Sequence, residues 1–234
     1  MRKKFSLLLL AAVLFSAAAA AAEEADPFRT IGSIVTFGYY EQDNNVNNGP
    51  EKIEWYVIDV KDNICLLMSR YGLDVRQYNK FLDITWEESA IRKWLNNDFY
   101  TVAFNSTEKD SILMVIVDNG KQQGYSGWDT SGGSGTWDRI FLLSYYEVSK
   151  GHPMSQKIRQ CAATDFALAK GKKYWKTDTA PVNEDGRLVW SWWLRSPGDR
   201  QRDAALMGVD GAKVHDTVVD GYELVRPVLW LRLD

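Results

Sequence analysis

The stretch that most restricts the fold is Trp190-Ser191-Trp192-Trp193-Leu194-Arg195-Ser196-Pro197-Gly198, with three tryptophans in four positions. Each such ring buries about 150–250 Å², so the segment needs a deep apolar environment on at least one side. As a strand it places Trp190, Trp192 and Leu194 on one face and Ser191, Trp193 and Arg195 on the other. The first is the natural core face. The second sets a ring beside a guanidinium, which either stacks on sugars and grips carboxylates or braces backbone carbonyls from within. The tendency of aromatics to be buried favours core and brace, with Trp193 the exception best placed to meet a ligand.

The other strong constraint lies at the N-terminus. Arg2, Lys3 and Lys4 precede an apolar run from Phe5 to Phe15, and an alanine tract then leads to Ala20-Ala21-Ala22 before Glu23. This is the pattern of a secretory signal peptide over residues 1–22, followed by a linker over 23–30 and a single domain over 31–234. The alternative is an uncleaved anchor, since the run approaches the roughly 18 residues that span a bilayer. No later run is long enough, so no stable membrane span is expected after cleavage. Without residues 1–22 the chain keeps 25 basic residues against 31 acidic ones, a net charge of −6. That balance argues against nucleic acid as a partner. Export permits a disulfide between Cys65 and Cys161, but Cys65 sits in the apolar run Ile64–Met68, where a buried thiol is as reasonable.

Ile34–Tyr40 reads as a strand. Residues 53–60 and 64–69 read as a hairpin about a Lys61-Asp62-Asn63 turn. The spacing of Ile91, Trp94, Leu95 and Phe99 predicts a helix, with Thr85 as N-cap and Glu88 completing a capping box. Residues 112–117 and 139–144 read as strands around a Gly- and Ser-rich loop, 119–137. Ser144 and Glu147 form a second capping box, opening a short helix that ends near Gly151. A further helix is predicted from Thr164 to Lys170, stopped at Gly171. The last third reads as β, and this distribution of elements predicts an α+β fold.

Loop 119–137 carries Tyr125, Trp128 and Trp137, with carboxylates at Asp129 and Asp138. Binding residues concentrate in loops carried on rigid scaffolds, so the candidate ligand-binding residues are Trp193, Arg195, Tyr125, Trp128, Trp137 and Asp129. The bland alternative is a surface insertion whose rings pack back on the body. Asp43, Asn45, Asn47 and Glu54 approach the spacing of a calcium loop. However, Gly49 falls at the seventh position and Asn48 at the sixth, so a polar turn is the better reading. Catalysis lacks a nucleophile–base constellation: His152 and His215 make no metal pair, and His215 and Asp216, as strand neighbours, face opposite ways. No catalytic residue, metal or cofactor is expected.

The segments "FGYYEQ", "IEWYVIDV", "LLMSRYGLDVRQYN", "TWEESAIRKWLNNDFY", "FLLS", "WWLRSPG", "VDG" and "VRPVLWLRL", in this order, resemble the DUF6273 domain family, a bacterial family without an established function. The resemblance runs from about Ile31 to Asp234. Tyr39-Tyr40-Glu41 stands where that family more often has an aromatic-Pro turn. The same order is more distantly similar to C-type-lectin-like domains, including the formylglycine-generating-enzyme type. That likeness implies short helices packed on antiparallel sheets, paired N- and C-terminal strands and a loop-borne ligand surface. Together these readings imply an exported, extracytoplasmic, non-enzymatic module that recognises a cell-surface glycan or an envelope protein. The alternatives are a structural envelope domain without a small ligand, in which the tryptophans only build the core, and a diverged enzyme.

Overall fold

The computed structural model describes residues 26–120, 130–212 and 214–233. Strands β1 (Ile34–Tyr40), β2 (Glu51–Lys61) and β3 (Ile64–Ser69) form the antiparallel meander expected from their alternation. Along β2, Ile53, Trp55 and Val57 are buried, while Glu54 and Tyr56 face outward. The β2–β3 turn contains Asp62 at φ 48°, the left-handed conformation that Asp tolerates better than most residues. The last strand, β11 (Val228–Arg232), pairs with β3, giving the order β1-β2-β3-β11. The expected pairing of first and last strands is therefore not met: they share a sheet, but β2 and β3 stand between them.

The second sheet has the order β4-β10-β7-β8-β9, built from Asp74–Gln77, Tyr222–Val225, Trp192–Pro197, Asp203–Met207 and Val214–Val218. β10 runs parallel to β7, and the other neighbours are antiparallel. Pro227 separates β10 from β11. Proline has no N–H for a ladder and disrupts a continuous strand, and here the chain leaves one sheet for the other. A two-stranded ribbon, β5 (Val115–Val117) with β6 (Thr136–Asp138), completes the β structure. Of the two strands expected over 112–117 and 139–144, only Val115–Val117 is regular. Ile112 and Phe141 each make a single bridge to β11, on the edge that β3 does not occupy.

The helices are short. α1 (Ala90–Trp94) passes through a π-helical turn, Leu95–Phe99, into α2 (Tyr100–Ala103), and α3 (Ser106–Ser111) follows. The N-cap of α1 is Ser89, not Thr85: its Oγ accepts from Arg92 N at 3.2 Å and donates to Trp86 O at 2.9 Å. Trp86 is buried with its Nε1 on Asp138, which takes residues 86–88 into a turn and delays the helix by one turn. The Ser144–Glu147 box forms as read, with Ser144 N on Glu147 Oε2 (2.7 Å) and Glu147 N on Ser144 Oγ (3.2 Å). α4 (Gln156–Arg159) and α5 (Asp165–Gly171), the latter capped by Thr164, lie in the chain between β4 and β7 of the second sheet. The architecture is α+β, short helices on mixed and antiparallel sheets. Among the described residues no helix is long and apolar enough to cross a membrane.

Every residue of β7 is buried. Trp192 donates from Nε1 to Arg159 O at the end of α4 (2.9 Å), and Trp193 donates to Arg76 O on β4 (2.8 Å) and meets Tyr78 edge-on at 5.5 Å. Both faces of the strand are thus covered. Trp190 lies just before it, half-buried and stacked on Trp175 at 4.8 Å.

Candidate functional site

β2 directs Tyr56 away from the core, and the chain leaving β3 continues through Arg70, Tyr71 and Gly72. Gly72 is pinned against the second half of the molecule: its N–H donates to Ala162 O at 2.9 Å and its carbonyl accepts from Thr164 N at 3.1 Å. A Cβ here would lie 2.6 Å from the Leu224 side chain, so glycine is required for the approach, and Tyr71 is held at the lip. Beneath it Arg226, fully buried, donates to Ser69 O (2.8 Å), Ile158 O (2.7 Å) and Arg70 O (3.3 Å), while its guanidinium lies 5.1 Å from the Trp192 ring centroid. One arginine thus ties the Arg70 backbone to the end of α4, which supplies Gln156 and Lys157, with Gln160 next in the chain.

The facing wall is an arm over residues 181–189. Val182 bridges Leu188, Asn183 Oδ1 accepts from Asp185 N (3.1 Å) and Arg187 N (2.8 Å), and Gly186 takes the turn at φ 74°. The arm is clasped across the opening by Lys157–Glu184 at 2.6 Å and Arg70–Asp185 at 3.3 Å, and Arg70 also holds Glu54 at 2.9 Å. Between arm and body lies a cleft of about 470 Å³, lined by Tyr56, Tyr71, Arg70, Gln160 and Asn183 among others. A second cavity of about 260 Å³, reaching Gln42, Glu51, Thr164 and Arg187, shares Tyr71 with the first. The Arg70 and Arg187 guanidinium groups each lie 5.0 Å from the Tyr71 ring centroid. The two cavities adjoin at Tyr71, the one lining residue they share, and together make the candidate groove. It offers rings, amides and charges of both signs, the mixture that suits a polar, near-neutral chain.

The residues singled out by sequence lie elsewhere. Trp193 is fully buried and Arg195 nearly so, which corrects the expectation that they form a ligand-facing edge. Arg195 grips both oxygens of Glu147, and donates to Leu142 O (2.8 Å) and to Asp118 O from Nε (3.2 Å) and Nη2 (3.1 Å). Burial alone would raise the Glu147 carboxyl, but the Arg195 charge and hydrogen bonds with the Ser144 N–H outweigh it and hold it below its ordinary range. Tyr125, Trp128 and Asp129 lie outside the described residues. Trp137 is 60% exposed on the ribbon, directly opposite Ile116, itself 64% exposed. Its neighbour Asp138 is internal, bound by Arg92 (2.7 Å), Trp86 (2.9 Å) and Thr136 (2.7 Å).

The calcium-like spacing serves a turn. Asp43 accepts from Asn45 N and Asn48 Nδ2, each at 2.7 Å, and Glu54 is taken by Arg70. Cys65 and Cys161 are free thiols, pushed by burial up to about 12 and about 11. His215 is exposed on β9 of the second sheet, whereas Cys65 lies in the first. The groove was not read from sequence because four separate segments build it. The available signal was "SRYGL", an aromatic set between an arginine and a glycine at the end of a strand.

A family model described as a domain of unknown function, DUF6273, matches residues 62–233. The match contains Arg70, Tyr71, the arm and Arg226, and excludes Tyr56. No curated protein matches the chain, and no solved structure does.

Proposed function

Since the chain belongs to the DUF6273 family, a domain of unknown function, we propose its role from its own geometry: an exported, non-enzymatic module that binds a glycan of the cell envelope in the groove about Tyr71. The observation that carries this is the shared tyrosine. Two cavities meet at one ring, with the Gln160 amide on one side and the Arg187 guanidinium on the other. Pyranose rings present an apolar face to aromatics and hydroxyls to amides and charged groups, and two adjoining cavities take successive units of a chain. Export rests on the signal pattern of residues 1–22. A kinship with C-type-lectin-like domains belongs to the same proposal, supported by the short helices, the mixed sheets and a cleft walled in part by the loop over 181–189.

The test is co-sedimentation of residues 23–234 with insoluble envelope glycan. Tyr71→Ala is expected to weaken retention about tenfold, near 1.4 kcal/mol, with Trp137→Ala unchanged. The reverse pattern would favour a second reading, an envelope protein as partner. That reading is supported by the ribbon face, where Met114, Ile116 and Trp137 are all exposed.

A further inference from the structure

A separate cavity of about 340 Å³, sharing no lining residue with the groove, is bordered by Arg76, Lys80 and Lys170 with Val75, Ile91 and Tyr222, and none of its lining residues is acidic. Beside it lies one fully buried carboxylate, Asp74, which takes Lys170 Nζ at 2.5 Å and the Tyr40 hydroxyl at 2.8 Å. Arg76 Nε is 3.6 Å from the same carboxylate, too far for a hydrogen bond. One negative charge thus stands against two positive ones, and Lys80 pairs with no described carboxylate. The Arg76 guanidinium lies 4.0 Å from the Trp94 ring centroid, which fixes its plane. None of its N–H groups donates a hydrogen bond to a described residue, and Nε is buried. A rigid fork whose N–H groups meet no described acceptor, beside two lysines, is the arrangement that recognises oxyanions. Directly across the strands from Arg76 lies Glu223, whose carboxyl accepts from the Ser191 hydroxyl at 2.6 Å. Burial, partly offset by that hydrogen bond, pushes Glu223 up to about 7, so near neutrality it opposes an anion with only part of a charge.

We propose that this cavity is an anion-binding site for the carboxylate or phosphate group of a small organic molecule. Arg76 is the two-pronged donor, Lys80 and Lys170 flank it, and Val75, Ile91 and Tyr222 contact the organic body. The volume is that of a small-molecule site, larger than a bare ion needs. The site is independent of the glycan groove.

The experiment titrates residues 23–234 with benzoate and with inorganic phosphate at low ionic strength, against chloride of matched ionic strength, by calorimetry. Saturable binding of either probe is expected. Benzoate alone identifies a carboxylate ligand and phosphate alone a phosphorylated one. Arg76→Gln is expected to weaken binding at least about tenfold and Lys80→Gln a few-fold, while Tyr71→Ala leaves it unchanged. Lys80 is exposed and makes no ion pair with a described residue, so its variant folds even where Arg76→Gln, which leaves Asp74 with Lys170 and Tyr40, does not. Absence of saturation over chloride by both probes, or wild-type binding in Lys80→Gln, overturns the proposal.

Discussion

Arg195, buried, and Glu147, partly so, show what one ion pair does here. The guanidinium joins Asp118, Leu142 and Glu147, three points on the chain that no ladder connects directly. Arg195→Met is expected to cost about 2–4 kcal/mol, because it leaves the largely buried Glu147 carboxylate with only the Ser144 N–H and strips the Leu142 and Asp118 carbonyls of their donor. Urea denaturation at pH 7 reads this, and a loss under 1 kcal/mol contradicts the bracing role. The pair also sets a pH dependence. Glu147 titrates lower in the folded state than in the unfolded one, so its contribution is full above the ordinary carboxylate range and lost as pH falls through the folded value. His152 acts the same way at higher pH. Burial holds it below its ordinary 6.5 despite Glu147 and Asp59, so stability declines as pH drops below about 6.5. Glu223 has the opposite sign: raised from 4.5 to about 7, it is stabilising below the unfolded value and loses that advantage as pH rises to about 7. Glu223→Gln is therefore expected to stabilise at pH 8 by about 1–3 kcal/mol and to change little at pH 4. An equal effect at both pH values would show that its charge is not what burial opposes.

At the scale of elements, the start of α1 separates pattern from packing. Thr85 and Glu88 have the right spacing for a cap, but Trp86 is drawn inward to Asp138 and the helix waits for Ser89. Ser89→Ala is expected to cost about 1 kcal/mol and Thr85→Ala less than about 0.5 kcal/mol; the reverse order in thermal melts would restore Thr85 as the cap. Elements whose signals are local were legible: β1, the β2–β3 hairpin, the Ser144–Glu147 box and the Thr164 cap all depend on residues within one turn or one hairpin. The short β5 was not, because its partner β6 lies beyond a Gly- and Ser-rich stretch that carries no strand alternation to announce the pairing. The arm at 181–189 belongs to the same lesson. Its internal turn is local, but what it faces is decided by Arg70 and Lys157. Its clasps are exposed ion pairs, which add little and are screened by salt. Amide exchange over 182–188 is expected to quicken in high salt, and an unchanged rate would mean that the clasps do not hold the arm closed.

At the scale of the molecule, the tryptophan-rich segment proved to be scaffold, and function is proposed for places where the two sheets and their helices leave openings. Sequence pointed to Trp193 and Arg195 because rings and guanidinium groups serve ligands and cores alike, and only the second layer of packing tells them apart. The groove escaped notice for the complementary reason: Tyr56, Tyr71, Gln160 and Asn183 are unremarkable along the chain and meet only once Gly72, Arg226 and the arm are in place. Export belongs to this scale too. Material recovered outside the cytoplasm is expected to begin at Glu23 by N-terminal sequencing, and an intact Met1 would mean that the leader is retained. The most direct test of the central claim is a thermal melt of residues 23–234 against a panel of envelope glycan oligomers, run beside Tyr71→Ala. A ligand that binds only the folded state at a hundredfold excess over its dissociation constant adds about 2.7 kcal/mol. The account predicts a raised midpoint with at least one glycan class, abolished in Tyr71→Ala; a flat panel, or a shift that survives the substitution, contradicts it.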